Sequence, residues 1–287
     1  MNNWVSKGLN HLGDDGEVVS VQLVSGGDIN EAYFIQTENH EFFVKRNIEA
    51  DIAFFDFEAQ GLKKIKSTNT IEVPDVYGVY EESGIPMLWL EWIKRTKYKK
   101  TEDLLGEQLA SLHLCEGSGY GFEENGFIGK LKQKNNVLDD WITYYRDYRL
   151  YNQLEQGGLQ GTIYGKRERR LFAVMDKLDQ WIPNNPKQSI LHGDLWGGNW
   201  LTGPNGVPYL IDPSILYGDH EMEIAFTELF GGFSNQFYGA YNSVFRLSDE
   251  YTDRKELYQL YYLLVHLNMF GEAYGSAVDR ILIRYVG

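Results

Sequence analysis

The order of patterns along the sequence predicts an α+β protein with a small, sheet-rich N-terminal part and a larger, mainly helical C-terminal part. Up to residue 93 the apolar segments are short and alternate with polar residues, as in β-strands, with a single helical pattern among them. Beyond residue 100 apolar residues recur at helical spacing. We therefore expect two lobes, residues 1–93 and residues 94–287, with an antiparallel sheet and one helix in the first.

Composition limits the classes of protein and partner. The 287 residues are 43% apolar, which suffices for a sizeable core, and the formal net charge is -14. Such an acidic chain argues against nucleic acid or an anionic membrane as its main partner. The single cysteine, Cys115, excludes an internal disulfide. With no signal-peptide pattern and no long apolar run, we expect a cytoplasmic protein, while its oligomeric state is left open.

The first sheet segments enclose a glycine turn. Strands are predicted at residues 18–24 and 32–36, and Gly26 and Gly27 lie in the turn between them. Backbone N–H groups of such a turn can face phosphates, although two glycines between strands often form only a hairpin. Asp28 in the same turn would have to point away from a triphosphate.

A lysine and a glutamate follow at a suggestive spacing. Lys45 closes a third strand, residues 41–45, and Glu58 lies beside the apolar face of a helix predicted over residues 51–66. In kinases a lysine at this distance from the glycine turn contacts the α- and β-phosphates and pairs with a helix glutamate. The alternatives are an edge lysine and a helix glutamate that both face solvent.

The remaining strands lead to a connector. Strands are predicted at residues 76–80 and 86–90, and Glu91, Trp92 and Ile93 follow the second of them. In a kinase the adenine lies against such a connector. The basic residues 94–100 are interpreted as a solvated linker and mark the boundary of the first lobe.

Helical patterns dominate the rest of the chain. We predict a helix over residues 102–114 capped by Thr101, an aromatic core segment at 141–151, and helices at 169–182, 222–230 and 257–270. A last helix ends near residue 285.

The most informative stretch is residues 191–199, Leu-His-Gly-Asp-Leu-Trp-Gly-Gly-Asn, between predicted strands at 189–191 and 209–211. His192, Asp194 and Asn199 are followed by Asp212 at the end of the second strand. This spacing is typical of kinase catalytic loops, although the tripeptide His-Gly-Asp alone could arise by chance.

Each of these side chains suits phosphoryl transfer. The carboxylate of Asp194 can accept the proton of an acceptor hydroxyl. The amide oxygen of Asn199 and the carboxylate of Asp212 suit magnesium ions that bridge the phosphates of ATP. Turn residues at 203–206 reverse the chain, so we expect Asp212 to return beside Asn199.

The same stretch resembles the signature of the fructosamine kinases, also called ketosamine kinases. The resemblance extends in order over nearly the whole chain and includes residues 43–45, 105–113, 211–214, 217–219 and 229–233. Trp196 and the two glycines before Asn199 are its specific part. Aminoglycoside and choline kinases share the His-x-Asp and the later aspartate, but not usually this Trp-Gly-Gly-Asn.

The resemblance implies a bilobal protein-kinase-like fold and a reaction. Members of the family transfer the γ-phosphate of ATP to the sugar 3-hydroxyl of a ketosamine, the adduct of a sugar and an amine. The phosphorylated adduct then decomposes and releases the amine, which amounts to deglycation, a form of protein repair. The implied partners are ATP, Mg²⁺ and a small-molecule or protein-bound ketosamine.

Carried over residue by residue, the resemblance makes Asp194 the base and Asn199 and Asp212 the magnesium ligands. The remaining assignments are the cofactor-binding residues Gly26, Gly27, Lys45, Glu58, Glu91, Trp92 and Ile93, and the substrate-contacting residues Asp219 and, from its position beside the base, Trp196. His192 would orient the loop. Two departures stand out: the glycine turn is short and carries Asp28, and Glu223 occupies a position where the family has aspartate.

Three alternatives remain open. A related kinase could act on another sugar or on an amino alcohol. A nucleotide-binding pseudokinase would be expected to lack one of the groups discussed above, and none is lost. A metal hydrolase could use His192, Asp194, Asp212 and His220, but this reading gives Lys45 no purpose.

Overall fold

The computed structural model describes residues 3–24 and 29–287. The predicted glycine turn, with Gly26, Gly27 and Asp28, lies outside the described residues. The chain forms two units: residues 1–101 with 200–213, and residues 102–199 with 214–287. The predicted lobe boundary at residue 93 stays a prediction.

The α-helices are α1 (Asn3–Leu12), α2 (Ile52–Ser67), α3 (Thr101–Leu114), α4 (Trp141–Tyr144), α5 (Tyr151–Gln160), α6 (Gly165–Met175), α7 (His220–Phe230), α8 (Asn235–Val244), α9 (Tyr251–Phe270) and α10 (Gly275–Val286). The strands are β1 (Val18–Val24), β2 (Glu31–Thr37), β3 (Glu41–Arg46), β4 (Val76–Glu82), β5 (Ile85–Glu91), β6 (Tyr120–Gly121), β7 (Gly126–Ile128), β8 (Leu131–Gln133), β9 (Val137–Leu138), β10 (Ser189–Leu191), β11 (Trp200–Thr202), β12 (Pro208–Leu210) and β13 (Leu216–Gly218).

A five-stranded antiparallel sheet forms the first unit, in the order β1-β2-β3-β5-β4. Side chains alternate along β3, so Phe42 and Val44 pack into the core while Lys45 faces the opposite side. Helix α2 packs against β4 and β5 and supplies Glu58 on the side of Lys45. The predicted α+β class, with a sheet-rich N-terminal part and a helical C-terminal part, is confirmed.

The first unit also contains a helix that the sequence prediction missed. Helix α1 buries Val5 and Leu9 against Trp89 and the inner face of the sheet. Gly8 allows this contact, because a Cβ atom at that position would lie 2.2 Å from the Trp89 ring. A glycine inside ten residues weakens the helical pattern, so tertiary packing rather than propensity supports this helix.

The aromatic segment predicted as core lies in the core of the second unit. Trp141, Tyr144 and Tyr145 are fully buried, and a π-helical turn, Tyr145–Leu150, joins α4 to α5. The helix predicted at residues 169–182 begins earlier and ends at Met175, where a short 3-10 turn replaces its last residues. Helix α3 begins at Thr101 itself, so Thr101 is its first helical residue and not the predicted cap, and its hydroxyl faces the carbonyl oxygens of Tyr98 and Gly206.

Short strands frame the 192–199 segment, which we call the 192–199 loop. In the second unit, β10 pairs with β13 in the four-stranded sheet β10-β13-β6-β9, so the loop begins where a buried strand ends. In the first unit, β11 and β12 form the predicted hairpin, with its turn at Gly203–Gly206. Within residues 3–24 and 29–287, no helix has both the length and the apolar content needed to cross a membrane.

Candidate active site

Three predicted residues meet in the first unit, and we call them the lysine cluster. The ammonium nitrogen of Lys45 lies 2.6 Å from Glu58 Oε1 and 2.6 Å from Asp212 Oδ1. Lys45 and Glu58 are buried, whereas the side chain of Asp212 is 42% exposed. The structure therefore confirms that Glu58 pairs with Lys45 and adds Asp212 as a second partner.

Burial and charge act against each other in this cluster. Burial opposes the charge of Lys45, but Asp212 and Glu58 outweigh it and raise the pKa of Lys45 above its usual value. Burial raises the pKa of Glu58 to about 7, although Lys45 acts in the opposite direction. The lysine thus stays cationic, as a phosphate-binding group requires.

The backbone of the 192–199 loop is fixed at Gly193. Glu223 accepts the N–H of His192 at 3.0 Å and the N–H of Gly193 at 2.5 Å, while the hydroxyl of Tyr262 donates to the Gly193 carbonyl at 3.3 Å. Gly193 has φ +84°, and a Cβ atom there would lie 1.9 Å from the carbonyl oxygen of Ser214. Only glycine fits this turn.

Asp194 and Asn199 close the loop on itself. The side-chain amide of Asn199 donates to the Asp194 carbonyl at 2.8 Å and to Asp194 Oδ2 at 3.3 Å. Because the N–H₂ group of Asn199 donates to Asp194, its amide oxygen is the atom that could bind a cation. The N–H of Asp194 donates to His192 Nδ1 at 3.3 Å, which agrees with the orienting role predicted for that histidine.

Packing explains the Trp-Gly-Gly signature. A Cβ atom on Gly198 would lie 2.3 Å from the indole of Trp196, so glycine leaves room for the ring. A Cβ atom on Gly197 would lie 2.9 Å from the Cα of Gly232. Trp196 itself is 44% exposed, so part of its indole is available beside Asp194 in the loop.

Glu223 is the carboxylate that braces the loop. Besides the two loop N–H groups, it pairs with His113 Nε2 at 2.8 Å, and both side chains are fully buried. Burial works against its ionisation, but the hydrogen bonds from His113 and Gly193 outweigh burial and keep the pKa of Glu223 below its usual value. Glu223 therefore holds the backbone of the loop, and His113 on α3 is its buried partner.

The predicted adenine connector continues the sheet. The N–H of Glu91 donates to the Asp75 carbonyl at 2.9 Å, and the ring of Trp92 packs against Phe34 with centroids 4.7 Å apart. Ile93 is buried. Their contact with adenine stays a prediction.

Asp219 has a structural position. Its buried carboxylate accepts the N–H of Glu221 at 3.0 Å, which caps α7, and the hydroxyl of Tyr258 at 2.6 Å. Burial raises the pKa of Asp219 to about 6. The contact of Asp219 with substrate stays a prediction.

The metal-hydrolase alternative finds no ligand set in the part of the chain that the structure describes. Among those residues, no group of three or more His, Cys, Asp or Glu side chains is placed to hold a metal ion. His220 is buried, bonds to Tyr241 and stacks on Phe245 with ring centroids 3.9 Å apart.

Comparisons with known proteins agree over the whole chain. The family model described as fructosamine kinase matches residues 1–286. A relative from Enterococcus faecium, named "Probable ketoamine kinase", is 37% identical over 96% of this chain and 97% of its own length. A rice relative, named "Protein-ribulosamine 3-kinase, chloroplastic", is 35% identical over 94% of this chain and 80% of its own.

Solved structures give the same picture. A Thermobifida fusca protein, described as a candidate fructosamine-3-kinase, superposes with a TM-score of 0.88 at 28% identity and covers 99% of both chains. The aminoglycoside phosphotransferase APH(4)-Ia superposes with a TM-score of 0.64 at 16% identity over the full length of both chains, which shows a shared fold alone.

Fold and relatives together define a phosphotransferase of the kinase-like class, with an alcohol group as acceptor. More closely, the chain belongs to the fructosamine kinase family.

Proposed function

We propose that this protein transfers the γ-phosphate of ATP to the sugar 3-hydroxyl of ketosamines. The observation that carries the proposal is the closed loop in which Asn199 holds Asp194 through two hydrogen bonds while the backbone of Gly193 is fixed. A base and a cation ligand are thereby presented on one rigid loop.

Asp194 acts as the base. It accepts the proton of the sugar hydroxyl as the hydroxyl oxygen bonds to the γ-phosphorus and the bond between that phosphorus and the β–γ bridging oxygen breaks, which releases ADP. The products are a sugar 3-phosphate and ADP, with the proton on Asp194.

The lysine cluster positions the nucleotide. Glu58 holds the Lys45 ammonium, which contacts the α- and β-phosphates, and the backbone of Glu91, Trp92 and Ile93 contacts adenine. We assign Gly26 and Gly27 to the phosphates as well. Asp212 and Asn199 each have the hard oxygen donors that Mg²⁺ prefers, and an ion held by them would neutralise charge on the phosphates.

Trp196 forms the sugar side of the proposed site. Its half-exposed indole follows Asp194 by two residues, and Gly198 leaves the ring its space. Aromatic faces bind the C–H surfaces of sugars and attract a protonated amine, which a ketosamine carries. The names of the relatives, ketoamine kinase and ribulosamine 3-kinase, support this substrate class, and with it a role in deglycation.

The nucleotide assignment has support from a more distant protein. The structure of APH(4)-Ia has been described in ternary complexes with hygromycin B and either ADP or AMP-PNP. We propose ATP as the cofactor here, and a cytoplasmic location because a reducing compartment suits a chain with one free cysteine.

The test is magnesium-dependent ADP release with ATP and four acceptors: fructosyl-lysine, ribulosyl-lysine, choline and an aminoglycoside. We expect turnover with the two ketosamines alone. Turnover with choline or the aminoglycoside alone would transfer the activity to a related small-molecule kinase. ATP binding without turnover of any acceptor would favour a pseudokinase.

A further inference from the structure

A buried chain of polar side chains runs from the 192–199 loop into the core of the second unit. Glu223 on α7 pairs with His113 on α3, whose Nδ1 lies 2.7 Å from the hydroxyl of Tyr241 on α8. The same hydroxyl lies 2.8 Å from Nδ1 of His220 on α7. We call these four residues the polar chain, and each of them is less than a tenth exposed.

The protons along the polar chain are ordered. Glu223 is ionised and accepts hydrogen bonds, so His113 Nε2 must carry a proton. Burial lowers the pKa of His220 to about 3, so that ring is neutral. The Tyr241 hydroxyl can donate to one histidine and accept from the other, which leaves every facing atom paired.

The polar chain is not needed to stabilise the core of the second unit. Buried polar groups are favourable only when fully paired, and apolar side chains of similar size fill a core at least as well. The polar chain fixes the orientation of the Glu223 carboxylate, because one of its oxygens is held by His113. Both oxygens then face the N–H groups of His192 and Gly193, directly before Asp194.

We propose that His113 and Tyr241 are positioning residues for the base Asp194. They act through Glu223. Because glutamate has one more rotatable bond than the aspartate expected at this position, its carboxylate needs additional partners to hold one orientation. Without the Tyr241 hydroxyl, the His113 ring loses a partner, Glu223 loses its fixed orientation, and the peptide before Asp194 loosens. This inference rests on the proposed function for its kinetic consequence, but not for its structural one.

The experiment compares Tyr241→Phe with Tyr145→Phe. Tyr145 is an equally buried tyrosine of the same unit whose hydroxyl donates to the Leu257 carbonyl at 2.6 Å, away from the 192–199 loop. We expect kcat to fall about tenfold in Tyr241→Phe with an unchanged KM for ATP, because displacement of a base by a fraction of an ångström slows chemistry without weakening nucleotide binding. Tyr145→Phe should keep both constants.

A second readout needs no substrate. Amide hydrogen exchange at residues 192–193 should accelerate in Tyr241→Phe and stay slow in Tyr145→Phe. A graded pair at His113 completes the series: His113→Gln keeps an N–H donor for Glu223 and should retain more activity and protection than His113→Leu. If Tyr241→Phe does not fold, the comparison of His113→Gln with His113→Leu tests the proposal.

Unchanged exchange at residues 192–193 in Tyr241→Phe would overturn the proposal, and so would an equal loss of kcat in Tyr145→Phe. Equal effects of His113→Gln and His113→Leu would also contradict it. If no ketosamine is turned over by the wild type, the proposed function fails, and the exchange readout still decides this inference.

Discussion

The 192–199 loop and the lysine cluster hold their functional groups in different ways. In the loop, backbone groups are bound by buried partners, Glu223 and Tyr262, and Asn199 ties Asp194 in place. In the cluster, three charged side chains hold one another, and Asp212 is half-exposed.

The 192–199 loop is therefore preorganised, whereas the lysine cluster can exchange partners. Hydrogen bonds between backbone and buried side chains leave the loop one arrangement, which suits a base that must meet a hydroxyl at a fixed position. An ion pair with one exposed member is held less firmly. Asp212 is therefore the member of the lysine cluster that can exchange its partner most readily.

The largest effect is expected from a substitution that removes the proposed base but leaves the structure of the loop intact. Asp194→Asn removes the base, so we expect kcat to fall by about 10²–10⁴-fold, as general bases contribute that much. The affinity for ATP, measured by calorimetry, should stay unchanged because the lysine cluster is intact. Retained turnover in this variant would remove Asp194 from the base role.

The matching change in the cluster should affect the nucleotide. Lys45→Met leaves the buried Glu58 and the half-exposed Asp212 without their shared cation. Since charge-assisted bonds to phosphate contribute about 1.5–3 kcal/mol, we expect kcat/KM for ATP to fall by roughly 10–100-fold. Equal kcat/KM values for Lys45→Met and wild type would show that this ammonium does not contact ATP.

A smaller effect tests the packing of Trp196. In Gly198→Ala the new methyl group would meet the indole at 2.3 Å, so the ring must move. We expect KM for the ketosamine to rise by about tenfold, the equivalent of roughly 1.4 kcal/mol of lost contact. Gly158→Ala is the control, because α5 offers open space there. A KM as low as that of the control would place Trp196 outside the sugar site.

The lysine cluster should also make the stability of the protein depend on pH. The pKa of Glu58 is raised from 4.5 to about 7, so its contribution to stability is fully present below pH 4.5 and is lost as pH rises through 7. His220, whose pKa is lowered from 6.5 to about 3, acts in the opposite sense as pH falls.

Urea unfolding at pH 5 and pH 8 separates these contributions. In Glu58→Gln the loss of stability on raising the pH should be smaller than in wild type, by an amount of the order of 1–3 kcal/mol for a shift of this size. His220 is common to both proteins and cancels in the comparison. An identical pH dependence would show that Glu58 is ionised throughout this range.

Local patterns in the sequence predicted much of the fold and part of the site. Period-two alternation located β3 with Lys45 near its end, and the loop spacing predicted that the side chains of Asp194 and Asn199 lie together. These features depend on neighbours in the chain, which periodicity and spacing report directly.

Long-range packing was not predictable in the same way. His113 and Glu223 are 110 positions apart, and no periodicity indicates that they meet. The role of Asp219 as the cap of α7 was likewise not foreseen from its place in a family motif. Gly197 and Gly232 lie in two separate segments of the family resemblance, and only the fold shows that they touch.

The central claim, that a base on a fixed loop directs phosphate to one sugar hydroxyl, is tested most directly by ³¹P and ¹³C NMR of the product. Fructosyl-lysine and ribulosyl-lysine are incubated with magnesium and ATP, with wild type and with Asp194→Asn. We predict a phosphomonoester on the 3-oxygen that forms with wild type and fails to accumulate with the variant. A phosphate on another oxygen, or the same product at the same rate from the variant, would contradict the claim.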